Sequence, residues 1–156
     1  MIYLHANGIV HCDIKPMNIL LNKPLEKMTH PKDIVATLTD VGISKALKDG
    51  NTKSTEKAGQ SQRYSSNEYL FEDKVSLKTD IWSFGVVAYE LMSQKLPWEG
   101  KFDNQVPGEL NKKTIFFDYH KSFSDTIKPL LEQCLVYDYS KRPTAEQLLE
   151  KLSYLK

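Results

Sequence analysis

Leu77 to Met92 carries apolar residues on almost every side of a helix: Leu77, Ile81, Trp82, Phe84, Val86, Val87, Leu91 and Met92. A helix with a single apolar stripe can lie on a surface, but one that is apolar nearly all round must be enclosed by protein or lipid. The most apolar run, Ile81 to Met92, is too short to span a bilayer, is preceded by Asp80 and is interrupted by Glu90. Enclosure by protein remains, so the rest of the chain must fold around this segment as its central helix. With 156 residues, one domain can bury roughly two-thirds of its unfolded surface. An apolar fraction of 40% and a charged fraction of 26% are ordinary for such a domain.

The flanking elements are read from caps and spacing. Thr144 with Gln147 makes a capping-box pattern, and Ala145, Leu148, Leu149, Leu152 and Leu155 form one apolar face, which predicts a C-terminal helix. Ile127, Leu130, Leu131, Cys134 and Leu135 also recur at helical spacing; Pro129 must sit in the first turn or cost a backbone hydrogen bond, so the start of that helix stays open. Met1 to Asn7 reads as the end of a helix stopped at Asn7-Gly8. Ile9-Val10 and Ile19 to Leu21 read as short strands, and the β-branched run Ile34 to Thr39 returns the second as a hairpin. Its enlarged tip, Asn22 to Asp33 with Pro24 and Pro31, is expected to be a surface insertion, which costs little in an exposed loop. Pro97, Gly100, Pro107 and Gly108 mark Gln94 to Asn111 as an irregular connection, with a short helix expected near Asn111 to Tyr119. Residues 43 to 65 have few large apolar side chains and are expected to be mobile.

A net charge of +1 gives no bulk attraction to nucleic acid or an anionic membrane. Two cysteines, Cys12 and Cys134, make neither a disulfide framework nor a metal cluster, which fits a reducing compartment, cytoplasmic or nuclear. No signal peptide is expected, since no basic region followed by an apolar core opens the chain. His5, His11, His30 and His120 show no metal-ligand spacing.

The chemistry-bearing residues fall in one order. His11-Cys12-Asp13-Ile14-Lys15-Pro16-Met17-Asn18 places a carboxylate and an amide with four residues between them. Asp40-Val41-Gly42, Glu68, Asp80-Ile81-Trp82-Ser83-Phe84-Gly85 and Lys141-Arg142-Pro143-Thr144 follow. In this order, over essentially the whole chain, the sequence resembles the C-terminal lobe of eukaryotic-type protein kinases of the serine/threonine branch, with Cys12 where the catalytic loop has Arg. The resemblance implies an α+β, predominantly helical lobe with short β-hairpins at its catalytic face. Residues 1–156 would be a partial kinase domain without the N-terminal lobe, and 40–68 its activation segment. It also implies phosphoryl transfer from ATP to a serine or threonine hydroxyl of a protein substrate, with Mg2+ as cofactor.

Residue by residue, the resemblance makes Asp13 the group that orients the attacking hydroxyl and Lys15 a contact to the transferring phosphate. Asn18 and Asp40 would hold magnesium, and Leu20 would pack beneath the adenine ring. Ser61 would bridge Asp13 and Lys15 beside a docked substrate, although Gln60 stands where a Gly is expected. Glu68 would pair with Arg142, with Ser66 and Asn67 departing from the family's Ala-Pro. Asp80 would hold backbone amides of the catalytic loop, and His11 would be a packing residue. Val41 replaces Phe and gives up aromatic contact area. Cys12 cannot offer the bidentate charge by which Arg receives a phosphorylated activation segment, so phosphorylation of Thr52, Ser54 or Thr55 is not expected to act through residue 12. No Gly-rich loop or strand lysine stands in Met1 to Val10. The alternative is therefore an inactive kinase-like binding or scaffold module, and a separate N-lobe or a regulatory protein is the expected partner.

Overall fold

The computed structural model describes residues 1–24, 30–47, 53–54, 61–112 and 126–154. The apolar segment forms helix α3, Leu77–Ser93. Ser76 starts it with a capping box: its hydroxyl accepts from the Lys78 amide, while Thr79 Oγ1 accepts from the Ser76 amide at 3.1 Å. It stops at Gln94, which turns left-handed at φ 54° and returns its N–H to Glu90 O.

Ile81, Trp82, Val86 and Val87 of α3 lie buried among Ile14, Tyr64, Val106, Leu110, Leu130, Cys134, Leu135 and Leu148. The enclosure expected from the sequence is therefore real along most of the helix; Leu91, 68% exposed, is the apolar side chain it leaves out. The closest neighbour is α5, Lys128–Cys134. A Cβ placed on Gly85 would lie 2.7 Å from Cys134 Cβ, so this crossing requires glycine. Pro129 occupies the first turn of α5, where its missing N–H has no intrahelical partner to lose.

Helix α1, Ile2–Ala6, ends at Asn7 with Gly8 at φ 66°. Helix α6, Ala145–Ser153, begins with the expected capping box, Thr144 and Gln147 bonding each other's backbone amides. Its Ala145 and Leu148 are buried, whereas Leu149 remains 58% exposed. The stretch read as an irregular connection contains a 3-10 turn, Asp103–Gln105, and helix α4, Val106–Asn111. Pro107 was misleading there because it sits in the first turn, while Val106 and Leu110, both at 0% exposure, bind the helix to the core. The helix expected near Asn111 to Tyr119 falls, after Lys112, outside the described residues. Helix α2, Asn67–Glu72, completes the set.

The strands are short antiparallel pairs. Strand β1, Ile9–Val10, pairs with β4, Lys45–Ala46; β2, Ile19–Leu21, pairs with β3, Ala36–Leu38; β5, Lys53–Ser54, pairs with β6, Lys74–Val75. No larger sheet occurs among the described residues. The expected fold class, predominantly helical with small hairpins, is the one observed. Asn22 closes the β2–β3 tip by accepting from the Val35 amide at 2.8 Å, and residues 25–29 of the expected insertion lie outside the described residues.

Segment 43–65 is better anchored at its ends than its composition suggests, because Leu47, Arg63 and Tyr64 are all buried. Residues 48–52 and 55–60, with Thr52 and Thr55, lie outside the described residues. No helix among the described residues is long and apolar enough to cross a membrane.

Candidate active site

The site is organised from beneath by one buried carboxylate. Asp80 lies in the first turn of α3 at 0% exposure, where the helix dipole favours a negative charge. Its Oδ2 accepts from the His11 amide at 2.8 Å and its Oδ1 from the Cys12 amide at 2.9 Å; His5 Nε2 meets Oδ2 at 2.8 Å. These bonds hold Cys12 at φ 67°, a left-handed conformation that costs a non-glycine residue about 1–2 kcal/mol. The chain thereby turns from β1 into the loop. His11, fully buried, braces both sides of the turn: Nε2 donates to Thr39 O at 3.0 Å and Nδ1 accepts from the Asp13 amide at 3.2 Å.

Asp13 is gripped by two neighbours. Lys15 Nζ stands 2.7 Å and Asn18 Nδ2 2.8 Å from its Oδ2, leaving Oδ1 without a donor among the described residues. Asn18 Nδ2 also donates to Asp13 O at 2.8 Å. Both partners are acceptors, so the amide nitrogen must face Asp13 and the amide oxygen Oδ1 lies on the other side. The 3-10 turn Pro16–Asn18 makes this return possible within five residues.

Asp40 is brought to the same edge by the β2–β3 pairing, which continues as a bond from the Thr39 amide to Asn18 O at 2.9 Å. Asp40 is exposed, at φ 61°, and its Oδ1 accepts from the Gly42 amide at 3.3 Å. Beside it Leu20 and Val41 are 56% and 58% exposed. Asn18 and Asp40 therefore offer hard oxygens at one edge of an open face, a donor set that suits magnesium carried mainly by phosphates and water. No group of three or more His, Cys, Asp and Glu is placed to hold a metal ion among the described residues.

Behind the loop, Arg142 and Glu68 form a bidentate pair, 2.8 Å at each contact, with both side chains at 0% exposure. Arg142 also donates to Val136 O at 2.8 Å and Lys78 O at 3.0 Å, and its guanidinium lies 4.8 Å from the Trp82 ring centroid. Asn67 adds a contact that its departure from the family pattern did not reveal: Oδ1 accepts from Arg142 Nη2 at 2.9 Å, and Nδ2 donates to Tyr137 O.

No hydrogen bond joins Ser61 to Asp13 or Lys15 among the described residues. Its hydroxyl donates to Asp103 Oδ1 at 3.2 Å, and the same carboxylate accepts from the Gln62 and Arg63 amides. Sequence reasoning missed Asp103, Arg63 and His5 as site supports, since each acts on a partner remote in sequence and carries no local signature. Cys12, buried and beside Asp80, has its thiol pushed up to about 12, first by burial and then by the Asp80 charge. It is protonated at neutral pH.

A family model described as the protein kinase domain matches residues 1–153. Similar proteins include the 3-phosphoinositide-dependent protein kinase B of Dictyostelium discoideum, 35% identical over 149 residues. The probable serine/threonine-protein kinase gdt2 of the same organism is 33% identical over 155, and rat mitogen-activated protein kinase kinase kinase 12 is 32% identical over 149. These matches cover 94%, 98% and 96% of this chain but 15%, 9% and 16% of the relatives' lengths. The chain belongs to the protein kinase domain family. Its helical body, with small antiparallel pairs and no large sheet among the described residues, is like the C-terminal lobe of that family.

Proposed function

We propose that these 156 residues form a kinase-type binding lobe, one that receives a serine- or threonine-bearing protein segment and whose own residues do not complete phosphoryl transfer. One observation carries this reading. The face to which a nucleotide would come is open: Leu20, Asp40 and Val41 are all exposed, and a single open wall excludes water from a ligand poorly. The Ser61 hydroxyl donates to Asp103, which supports a role for it outside the Asp13–Lys15 pair. Two buried, unbridged cysteines fit a cytoplasmic or nuclear setting.

A second reading, serine/threonine phosphotransfer from ATP, is favoured by the Asp13, Lys15 and Asn18 cluster. It needs an opposing lobe or regulatory protein to cover the open face. Asn18 Oδ1 and the Asp40 carboxylate would then hold Mg2+, which neutralises phosphate charge when bound, and Leu20 would face the adenine of ATP. Asp13, fixed by Lys15 and Asn18, would orient the substrate hydroxyl and take its proton, and Lys15 would shift from Asp13 toward the transferring phosphate.

Calorimetry of the chain with ATP and magnesium separates the readings. Weak or undetectable binding is expected, and micromolar affinity that Asp40→Asn abolishes would overturn the binding-lobe reading.

A further inference from the structure

The contacts that hold Ser61 form a reciprocal arrangement between two segments some forty positions apart. The first is the end of segment 40–68, where the 3-10 turn Gln62–Tyr64 precedes α2. The second is the connection between α3 and α4. In one direction the Asp103 carboxylate gathers donors from the first segment: Ser61 Oγ and the Arg63 amide on Oδ1, at 3.2 and 3.0 Å, and the Gln62 amide on Oδ2 at 2.9 Å. In the other, the Arg63 guanidinium donates to backbone carbonyls of the second segment. Nη1 reaches Pro97 O and Trp98 O, and Nη2 reaches Lys101 O at 2.6 Å. Arg63 is 7% exposed, so these carbonyls stand in for water around a buried cation. Two further bonds tie the turn to α3: Ser83 Oγ donates to Tyr64 O, and Tyr64 Oη donates to Glu90 Oε2, both at 2.8 Å.

A charged group on each side that binds mainly the other side's backbone fixes relative position with little dependence on the side chains between them. Such bonds to charged groups are each worth more than neutral ones. We infer that Arg63 and Asp103 are positioning residues, a two-way latch that fixes the Ser61–Ser65 turn against the α3–α4 connection and holds the Ser61 hydroxyl on Asp103. This rests on the reading of that surface as the place where a protein segment docks, and it names the device that sets its shape.

Asp103→Asn tests the latch with little change in volume. An amide presents one acceptor oxygen and one NH2, so it cannot accept at both positions. Either the Gln62 or the Arg63 amide must lose its partner. Amide hydrogen exchange read by NMR is expected to quicken at least tenfold at one of these two residues in Asp103→Asn and at both in Asp103→Ala. Asp103→Glu, which keeps two acceptors, should restore part of the protection. Amides in the middle of α3 should exchange as in the wild type, which separates positioning from general loss of stability. Unchanged exchange at both residues in Asp103→Ala, or loss spread evenly through α3, overturns the latch. Retention of a positional-scanning serine/threonine peptide library on the wild-type chain tests docking separately: no retention sinks the docking reading, while the amide result still decides the latch.

Discussion

Replacing Glu68 by Gln keeps the shape of the side chain and removes one charge from a pair that solvent does not reach. Both partners are at 0% exposure, and each Nη of Arg142 lies 2.8 Å from a carboxylate oxygen. In Glu68→Gln, one of those contacts becomes NH2 against guanidinium, and the Arg142 charge is left with one neutral amide oxygen at position 68, Asn67 Oδ1 and backbone carbonyls. Stranding a buried charge in this way costs about 3–5 kcal/mol. A domain of this size is typically stable by about 5–15 kcal/mol, so the variant should retain a fold with little margin. At about 2–4 °C per kcal/mol, the melting temperature should fall by about 6–20 °C. Urea denaturation of the wild type and the variant gives the free-energy difference directly, with the slope checking that both unfold in one step. The double variant Glu68→Leu with Arg142→Met, which removes both charges, should recover part of the loss. Recovery cannot be full, because Asn67 Oδ1, Lys78 O and Val136 O lose their common donor. A cost below about 1 kcal/mol for Glu68→Gln would refute the argument that desolvation dominates at this pair.

Two further outcomes test the core. Gly85→Ala adds a Cβ 2.7 Å from Cys134 Cβ and 3.0 Å from Leu135 Cγ; overpacking of about 1–3 kcal/mol should outweigh the better helix propensity of Ala, and calorimetry showing a raised melting temperature would contradict the tight α3–α5 crossing. Cys12 and Cys134 both have thiols pushed from 9.0 up to about 12, chiefly by burial. Between those values the unfolded chain gives up thiol protons that the folded chain keeps. Their contribution is thus complete below pH 9 and lost as pH rises toward 12. The urea midpoint should fall from pH 8 to pH 10, and by less in a Cys12→Ala, Cys134→Ala variant; an equal fall in both proteins would show that the thiols are not its source.

What the sequence made legible were features whose cause is local. The Thr144–Gln147 capping box and the stop at Asn7-Gly8 each depend on residues a few positions apart, so pattern suffices, and the β2–β3 hairpin follows from two apolar runs next to each other in the chain. Helix α4 was hidden by Pro107 and Gly108, whose ordinary meaning is overridden by the burial of Val106 and Leu110. At the candidate site, the grouping of Asp13, Lys15 and Asn18 follows from one short loop. The placement of Ser61 does not, because Asp103 competes for its hydroxyl from a different segment, and no spacing rule links positions 61 and 103.

The left-handed turn at Cys12 has a consequence for how this loop can vary. Its geometry is dictated by the carboxylate of Asp80 acting on two main-chain amides, and no atom of the residue 12 side chain takes part in those bonds. The identity of that side chain and the aim of Asp13 are therefore independent design variables. A single codon can add or delete whatever residue 12 senses, and the loop itself need not be rebuilt.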